Sequence, residues 1–283
     1  MTAGPPVREM LDIAASAVPL LERARGFVAS VDRWVLAEAV WMTLNDPRWQ
    51  VYATVGRPPE STGLALPLVD PEGSRVGTLG LLLPRAAPAS ELLRKQLSRV
   101  APVIARGVSP TWSVLATARL VPDAAAGAVL FENGDLHLLP GLHDHPLLVP
   151  GGVVVQLARA TLQGGQVYRT FLWPTGVGSG ETRHARVTVI AASDLPPAVL
   201  GIAMVTPDAE CHGLTPRELE VLGLVVTGRS NQQISSRLAI GPRTVATHVE
   251  HILHKLGTPT RTQAAVLAER EGCYVPPVRA RTR

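Results

Sequence analysis

Cysteine is nearly absent from this chain: Cys211 and Cys273 are its two thiols in 283 residues. So wide a spacing is neither a zinc-finger ligand set nor a disulfide framework, so the fold must be held by packing. Lysine is as scarce, with Lys95 and Lys255 the only two among 27 basic residues. No apolar run approaches the roughly 20 residues that span a bilayer, and residues Met1 to Arg8 lack a basic stretch followed by an apolar one. The expectation is therefore a cytoplasmic protein with no membrane partner. Enzyme signatures are missing too: there is neither a Walker loop nor a nucleophile elbow, and Ser193-Asp194 has no base placed beside it. The sequence argues against an enzyme and for no cofactor.

What is present is a globular composition, 46% hydrophobic and 18% charged, which can bury a core. At about 100 to 200 residues per domain, a chain of this length holds two or three. A formal net charge of +4 permits binding to nucleic acid without demonstrating it.

From Val7 to Arg25 the apolar residues Met10, Leu11, Ala14, Ala17, Val18 and Leu21 recur at helical spacing, with Pro19 as the place for a bend. Val40 to Leu44 and Trp49 to Val55 predict strands around the turn Asn45-Asp46-Pro47-Arg48, and Leu64 to Val69 and Arg75 to Leu83 a second pair around Asp70-Pro71-Glu72-Gly73. Ser90 to Arg106 returns to a helical period, with Leu93, Leu97, Val100 and Ile104 on one face. This order, with the Gly-Thr-Leu-Gly strand at Gly77 to Gly80, resembles the GAF family of small-molecule sensor domains. It gives a first domain over 1–110. Trp34, Trp41, Trp49 and Tyr52 cluster within it and are expected as core aromatics; their spacing does not match an acyl-homoserine-lactone sensor.

Residues 111–207 predict a second α+β domain, similar in outline to a PAS-type sensor. Gly127 to Phe131 and Leu136 to Leu139 bracket Glu132-Asn133-Gly134-Asp135, a strong hairpin signal. A helix over Val153 to Leu162 is followed by strands near Val167 to Trp173, Arg183 to Ala192 and Val199 to Val205, and Thr175 to Gly180 is expected as a hairpin loop. His137, His143, Asp144 and His145 have metal-ligand chemistry, but their loop setting favours ordinary surface residues, and no metal is expected there.

After a linker at 208–213 the character changes. Thr215 with Glu218, Ser230 with Gln233, and Thr260 with Gln263 are each spaced as a capping box that starts a helix, and Gly228, Gly257 and Gly272 follow helical runs. The predicted helices are Pro216 to Thr227, Asn231 to Leu238, Pro242 to Leu256 and Arg261 to Glu271, with the three residues Ala239 to Gly241 joining the second to the third, the connection length of a helix-turn-helix. Along the third helix Val245, Val249, Ile252, Leu253 and Leu256 form an apolar stripe, and Arg243, Thr247, Glu250, His251 and His254 lie opposite. Short polar groups, an arginine and imidazoles on an outward face suit a major groove about 12 Å wide, so this is the expected recognition helix. Its free amino end offers amides to a phosphate.

The run Leu214-Thr215-Pro216-Arg217-Glu218, then Val221-Leu222, Gly228, Ser230-Asn231, Ile234, Leu238, Thr244-Val245, His248, Ile252-Leu253, Lys255-Leu256-Gly257 and Arg261, resembles the LuxR/FixJ-type helix-turn-helix. The resemblance implies a four-helix DNA-binding domain at 214–272 and a homodimer formed through the fourth helix around Ala265; the residues after it, 273–283, read as a basic tail. Thr244, Lys255 and Arg261 are expected on the DNA backbone. Ala246 and Glu250 stand where many relatives place basic groove-facing residues, and Gly241 replaces the usual serine cap. Glu250 could accept from a cytosine amino group or repel phosphate on incorrect sequences.

The whole is thus expected to be multidomain, an α+β sensor region of antiparallel sheets with flanking helices followed by an all-α DNA binder. Its expected partners are double-stranded DNA, a second copy and a small-molecule effector, with RNA polymerase a further candidate. A phosphorelay receiver upstream is disfavoured, since Lys95 falls in a predicted helix and the alternating βα order is missing. An upstream module that docks or dimerises with protein remains the alternative to a ligand sensor.

Overall fold

Proline decides how the chain starts. In the computed structural model, which describes residues 6–46, 50–60, 63–85, 89–178, 181–191 and 198–278, the opening helix does not bend at Pro19 but stops before it. Helix α1 (Val7–Ala15) ends at an extended Ser16, and α2 (Leu20–Trp34) begins afresh with Pro19 as its cap. A proline disfavours helical backbone in the residue before it and has no N–H to continue the ladder. Both helices bury one face, through Met10 from α1 and Leu20, Ala24, Phe27 and Val31 from α2.

Strands β1 (Ala39–Asn45), β2 (Val51–Gly56), β3 (Leu64–Val69) and β4 (Arg75–Leu82) form an antiparallel sheet in the order β2-β1-β4-β3. The alternation in β1 puts Val40, Met42 and Leu44 inward. Its opposite face carries Trp41, whose indole occupies the space that a side chain at Gly80 would need. The expected position of Trp49 lies outside the described residues. Helix α3 (Glu91–Val108) is capped by the Ser90 hydroxyl, which accepts from the Leu93 amide at 3.1 Å, and buries Leu97, Val100 and Ile104 as its period predicts. Asp70 ties the β3–β4 turn to the end of this helix: one carboxylate oxygen accepts from the Ser74 amide at 2.8 Å and the other from the Ser109 hydroxyl at 3.0 Å. Short helices α4 (Pro110–Ser113) and α5 (Leu115–Ala118) follow.

The chain divides into two compact units, one of residues 1–117 with 131–133 and 192–199, the other of the remainder. In the second, β5 (Ala126–Phe131), β6 (Leu136–Leu138), β7 (Tyr168–Gly178), β8 (Glu181–Ala191) and β9 (Val199–Thr206) make a sheet in the order β6-β5-β9-β8-β7. The Asn-Gly hairpin forms where predicted, with Val129 opposite His137. The glycine-rich stretch does not open into a loop at Thr175: the β7–β8 ladder runs through a register shift and on to Gly178 opposite Glu181. Helix α6 (Val153–Gln163) packs Val154, Val155, Ala158 and Leu162 into the core.

Four helices follow among the described residues: α7 (Pro216–Val226), α8 (Asn231–Leu238), α9 (Pro242–Lys255) and α10 (Arg261–Glu271). Their buried residues Leu219, Leu222, Ile234, Val245, Ile252 and Ala268 belong to the same continuous cluster as Leu130, Phe171 and Val187 of the sheet. The stretches that the sequence separates as 111–207 and 214–272 therefore share one core. The link is the segment just after α10, which the sequence offers as the start of a basic tail. Cys273 and Tyr274 there are fully buried. The Tyr274 carbonyl accepts from the Leu172 amide of edge strand β7 at 2.8 Å, and the Val275 amide donates to the Leu219 carbonyl of α7 at 3.2 Å. Edge strands carry unpaired backbone groups, and this segment satisfies one of them.

Candidate nucleic-acid interface

Each helix of the C-terminal module starts as its sequence dictates. Thr215 and Glu218 form a reciprocal capping box on α7, and Ser230 and Gln233 form one on α8. On α10 the box is half made: the Thr260 hydroxyl accepts from the Gln263 amide at 3.2 Å, but the Thr260 amide does not donate back to the Gln263 side chain. Helix α9 has no side-chain cap, because its N-cap is Gly241. Its first amides are left for another acceptor, which suits a phosphate oxygen.

The turn between α8 and α9 is fixed by three local features. Ala239 closes α8 in the left-handed region at φ 52°, the Ser235 hydroxyl donates to the Ile240 carbonyl at 2.6 Å, and Arg217 donates to the Leu238 carbonyl at 2.8 Å. A non-glycine residue in that region is uncommon, so the turn is held by these bonds rather than by local preference.

Helix α9 buries Val245 and Ile252 fully and Val249, Leu253 and Leu256 in part, which is the predicted stripe. Arg243, Thr244, Thr247, Glu250, His251 and His254 are exposed on the rest of its surface. The Thr247 hydroxyl donates back to the Arg243 carbonyl at 3.2 Å, keeping it close to the helix surface. Glu250 has no ion-pair partner among the described residues. The imidazole nearest a carboxylate on this helix, His251, lies 3.7 Å from Glu218 rather than beside Glu250.

Two of the three expected backbone contacts are engaged inside the module. The Lys255 ammonium donates to Glu218 at 2.7 Å, and that carboxylate is 4% exposed. Burial alone would raise the Glu218 carboxyl, but the bonds from Lys255 and Thr215 outweigh it and hold the group below its usual value. Glu218 thus caps α7 and receives the last turn of α9, joining two helix ends. Arg261 donates to the Asn231 side chain at 2.8 Å and to the Arg229 carbonyl, tying the start of α10 to the start of α8. Thr244, at the open start of α9, is the one of the three that remains exposed with no side-chain bond among the described residues. Capping explains Glu218 from sequence, but its pairing with Lys255, 37 residues on, has no local signal.

The imidazoles of the β6 region do not gather as a metal site. His145 Nδ1 accepts from the Leu147 amide at 3.2 Å, a local turn bond. Among the described residues the set that does come within ligating reach is His212, Glu271 and Cys273, far from those histidines in sequence.

Comparison with known proteins bears on this module first. Residues 212–268 match the family model described as bacterial regulatory proteins, luxR family, so this part of the chain is similar to that family. The chain is 32% identical over 189 residues to a Mycobacterium tuberculosis protein named as an HTH-type transcriptional regulator, covering 56% of this chain and 21% of that protein. It is 51% identical over 59 residues to the transcriptional regulatory protein LiaR of Bacillus subtilis, covering 21% of this chain and 28% of the relative. The chain thus spans about a fifth to a quarter of the length of these relatives. Among solved structures, the VqmA dimer of Vibrio cholerae aligns at 16% identity and a TM-score of 0.32, over 58% of this chain and 90% of that one. No helix among the described residues is long and apolar enough to cross a membrane.

Proposed function

We propose that this protein is a transcription regulator that binds specific duplex DNA through the exposed face of α9, acting as a homodimer under the control of its N-terminal α+β region. The observation that carries the reading is α9 itself: a helix anchored by Val245 and Ile252, uncapped at its start, with Arg243, Thr247 and Glu250 displayed to solvent. Arg243 and Thr244 near the amino end of α9 approach the backbone and neighbouring base edges, and Thr247, Glu250, His251 and His254 follow along the groove. Lys255 and Arg261 contribute positive charge from positions already braced by Glu218 and Asn231. On α10, Val266 is 63% exposed beside Ala265, apolar surface that a second copy would cover.

A sensor role upstream is supported by polar atoms without partners. The Tyr52 and Ser30 hydroxyls and Arg23 Nε are buried and make no hydrogen bond. Such groups are rare, and a small polar ligand that met them would be bound selectively over an apolar one. This favours a ligand sensor of GAF-like or PAS-like kind over a docking module.

Selection of duplexes by the full chain from a random library tests the function. An enriched motif is expected, two-fold symmetric if the dimer holds, with affinity falling steeply as salt rises because phosphates are being neutralised. No enrichment by folded protein would overturn the reading. A symmetric motif with salt-independent affinity would overturn the assignment to α9.

A further inference from the structure

The entry to the helical module and its exit meet at one point. His212, just before α7, places Nε2 3.0 Å from Glu271 Oε2 at the end of α10. Cys273 Sγ completes a triangle whose three atoms all lie within 4.8 Å of one another. We propose that His212, Glu271 and Cys273 form a binding site for a thiophilic divalent transition metal ion of the zinc class.

The donor set itself argues for that class. An imidazole, a carboxylate and a thiolate are the three side-chain ligands zinc takes, and the sulfur excludes the hard ions magnesium and calcium. Zinc at bond lengths of about 2.0 to 2.3 Å spaces tetrahedral ligand atoms roughly 3.3 to 3.7 Å apart, so closure needs side-chain movements of about 1 Å. Three protein ligands leave a fourth position for water.

Access and placement agree with this use. Cys273 is fully buried, whereas the His212 and Glu271 side chains are 37% and 39% exposed, so an ion would enter between them with the soft donor at the base. His212 is held at φ 50°, a left-handed backbone that a non-glycine residue rarely adopts, and it is this residue that reaches Glu271. The other charge at the site, Arg186 from β8, donates to the backbone carbonyl of Glu271 and so leaves the carboxylate available. A bound ion would join the turn entering α7 to the segment leaving α10, closing the four-helix module on itself.

The test uses metal-free full chain under reducing conditions, with cobalt(II) as the spectroscopic probe and zinc(II) as competitor. The expected result is thiolate-to-cobalt charge-transfer absorption that saturates at a single equivalent and is abolished by zinc. His212→Ala should weaken cobalt binding about tenfold or more, and Cys273→Ser should remove the charge-transfer band while other binding is measured by zinc competition. Because Cys273 is buried, its variant could lose the fold; His212→Ala, at an exposed position, decides the matter without it. Absence of the band in the folded parent, or parent-like affinity in His212→Ala, would overturn the site.

Discussion

Glu218 shows how one side chain can serve a helix start and a helix end together. Its carboxyl is held below the usual range, so the stabilisation it provides is fully present above the unfolded value near 4.3 and is lost as pH falls through the folded one. The stability gap between the parent and Glu218→Gln is therefore expected to be constant above about pH 5 and to shrink in more acid solution; urea melts at several pH values read it directly. Lys255→Ala should lower stability by about 1 to 3 kcal/mol, since it leaves a carboxylate buried without its cation. If that variant is as stable as the parent and binds all DNA more weakly, Lys255 acts on phosphate and not on Glu218. Glu250 is the contrasting carboxylate, exposed and without an ion-pair partner among the described residues. Glu250→Gln is expected to raise affinity for random duplexes while narrowing the preference for the selected site, in which a mismatch at the contacted pair costs the parent about 1 to 3 kcal/mol. Competition between selected and scrambled duplexes at one salt concentration measures it, and an unchanged ratio would remove Glu250 from base reading.

Among the elements, α7 holds a glycine that helix propensity alone would reject. Alanine is preferred in helices by about 1 kcal/mol, yet a Cβ at Gly223 would lie 1.9 Å from the Val275 carbonyl oxygen. Gly223→Ala is accordingly expected to destabilise by about 1 to 3 kcal/mol, the cost of forcing packed groups apart, and a gain in thermal stability would show that the C-terminal segment does not lie against α7. The same contrast explains what the sequence could show. Helices α8 to α10 were legible because caps, closing glycines and a 3.6-residue stripe are signals within a dozen residues. The exposed positions of α9 followed from that stripe. Glu218 with Lys255 and Gly223 with Val275 are pairings across 37 and 52 residues, made only when the helices pack, and no local pattern encodes them. Pro19 was legible as a disturbance but not as a break, since a proline either kinks a helix or restarts it according to what the flanking faces bury.

At the scale of the second unit, one tyrosine joins sheet to helices. Tyr274 is the largest fully buried side chain among the described residues, and its hydroxyl lies 3.1 Å from Arg169 Nε of β7. Gly272 before it adopts φ 64° within reach of Thr170, where any Cβ would collide at 2.4 Å. Tyr274→Ala is expected to cost about 3 to 5 kcal/mol, as for other buried aromatics, and to make the α7–α10 amides exchange hydrogen faster together with those of β7. Loss of protection in α10 alone would mean that the sheet and the helices are independent. Nothing at the sequence level marks this tyrosine, because a lone aromatic beyond a helix-ending glycine has no period to join.

The pairing of Leu172 with Tyr274 also orders events in time. During synthesis β7, α7 and α10 all leave the ribosome before Tyr274 does, so the edge strand waits unpaired while about a hundred further residues are added. At the usual rate of roughly 5 to 20 residues per second that interval is several seconds, long compared with the folding of a helix or a hairpin. The nascent chain therefore presents an open β-edge to its neighbours on the same message, and the segment around Tyr274, the last of these parts to arrive, is the one that meets that edge at Leu172.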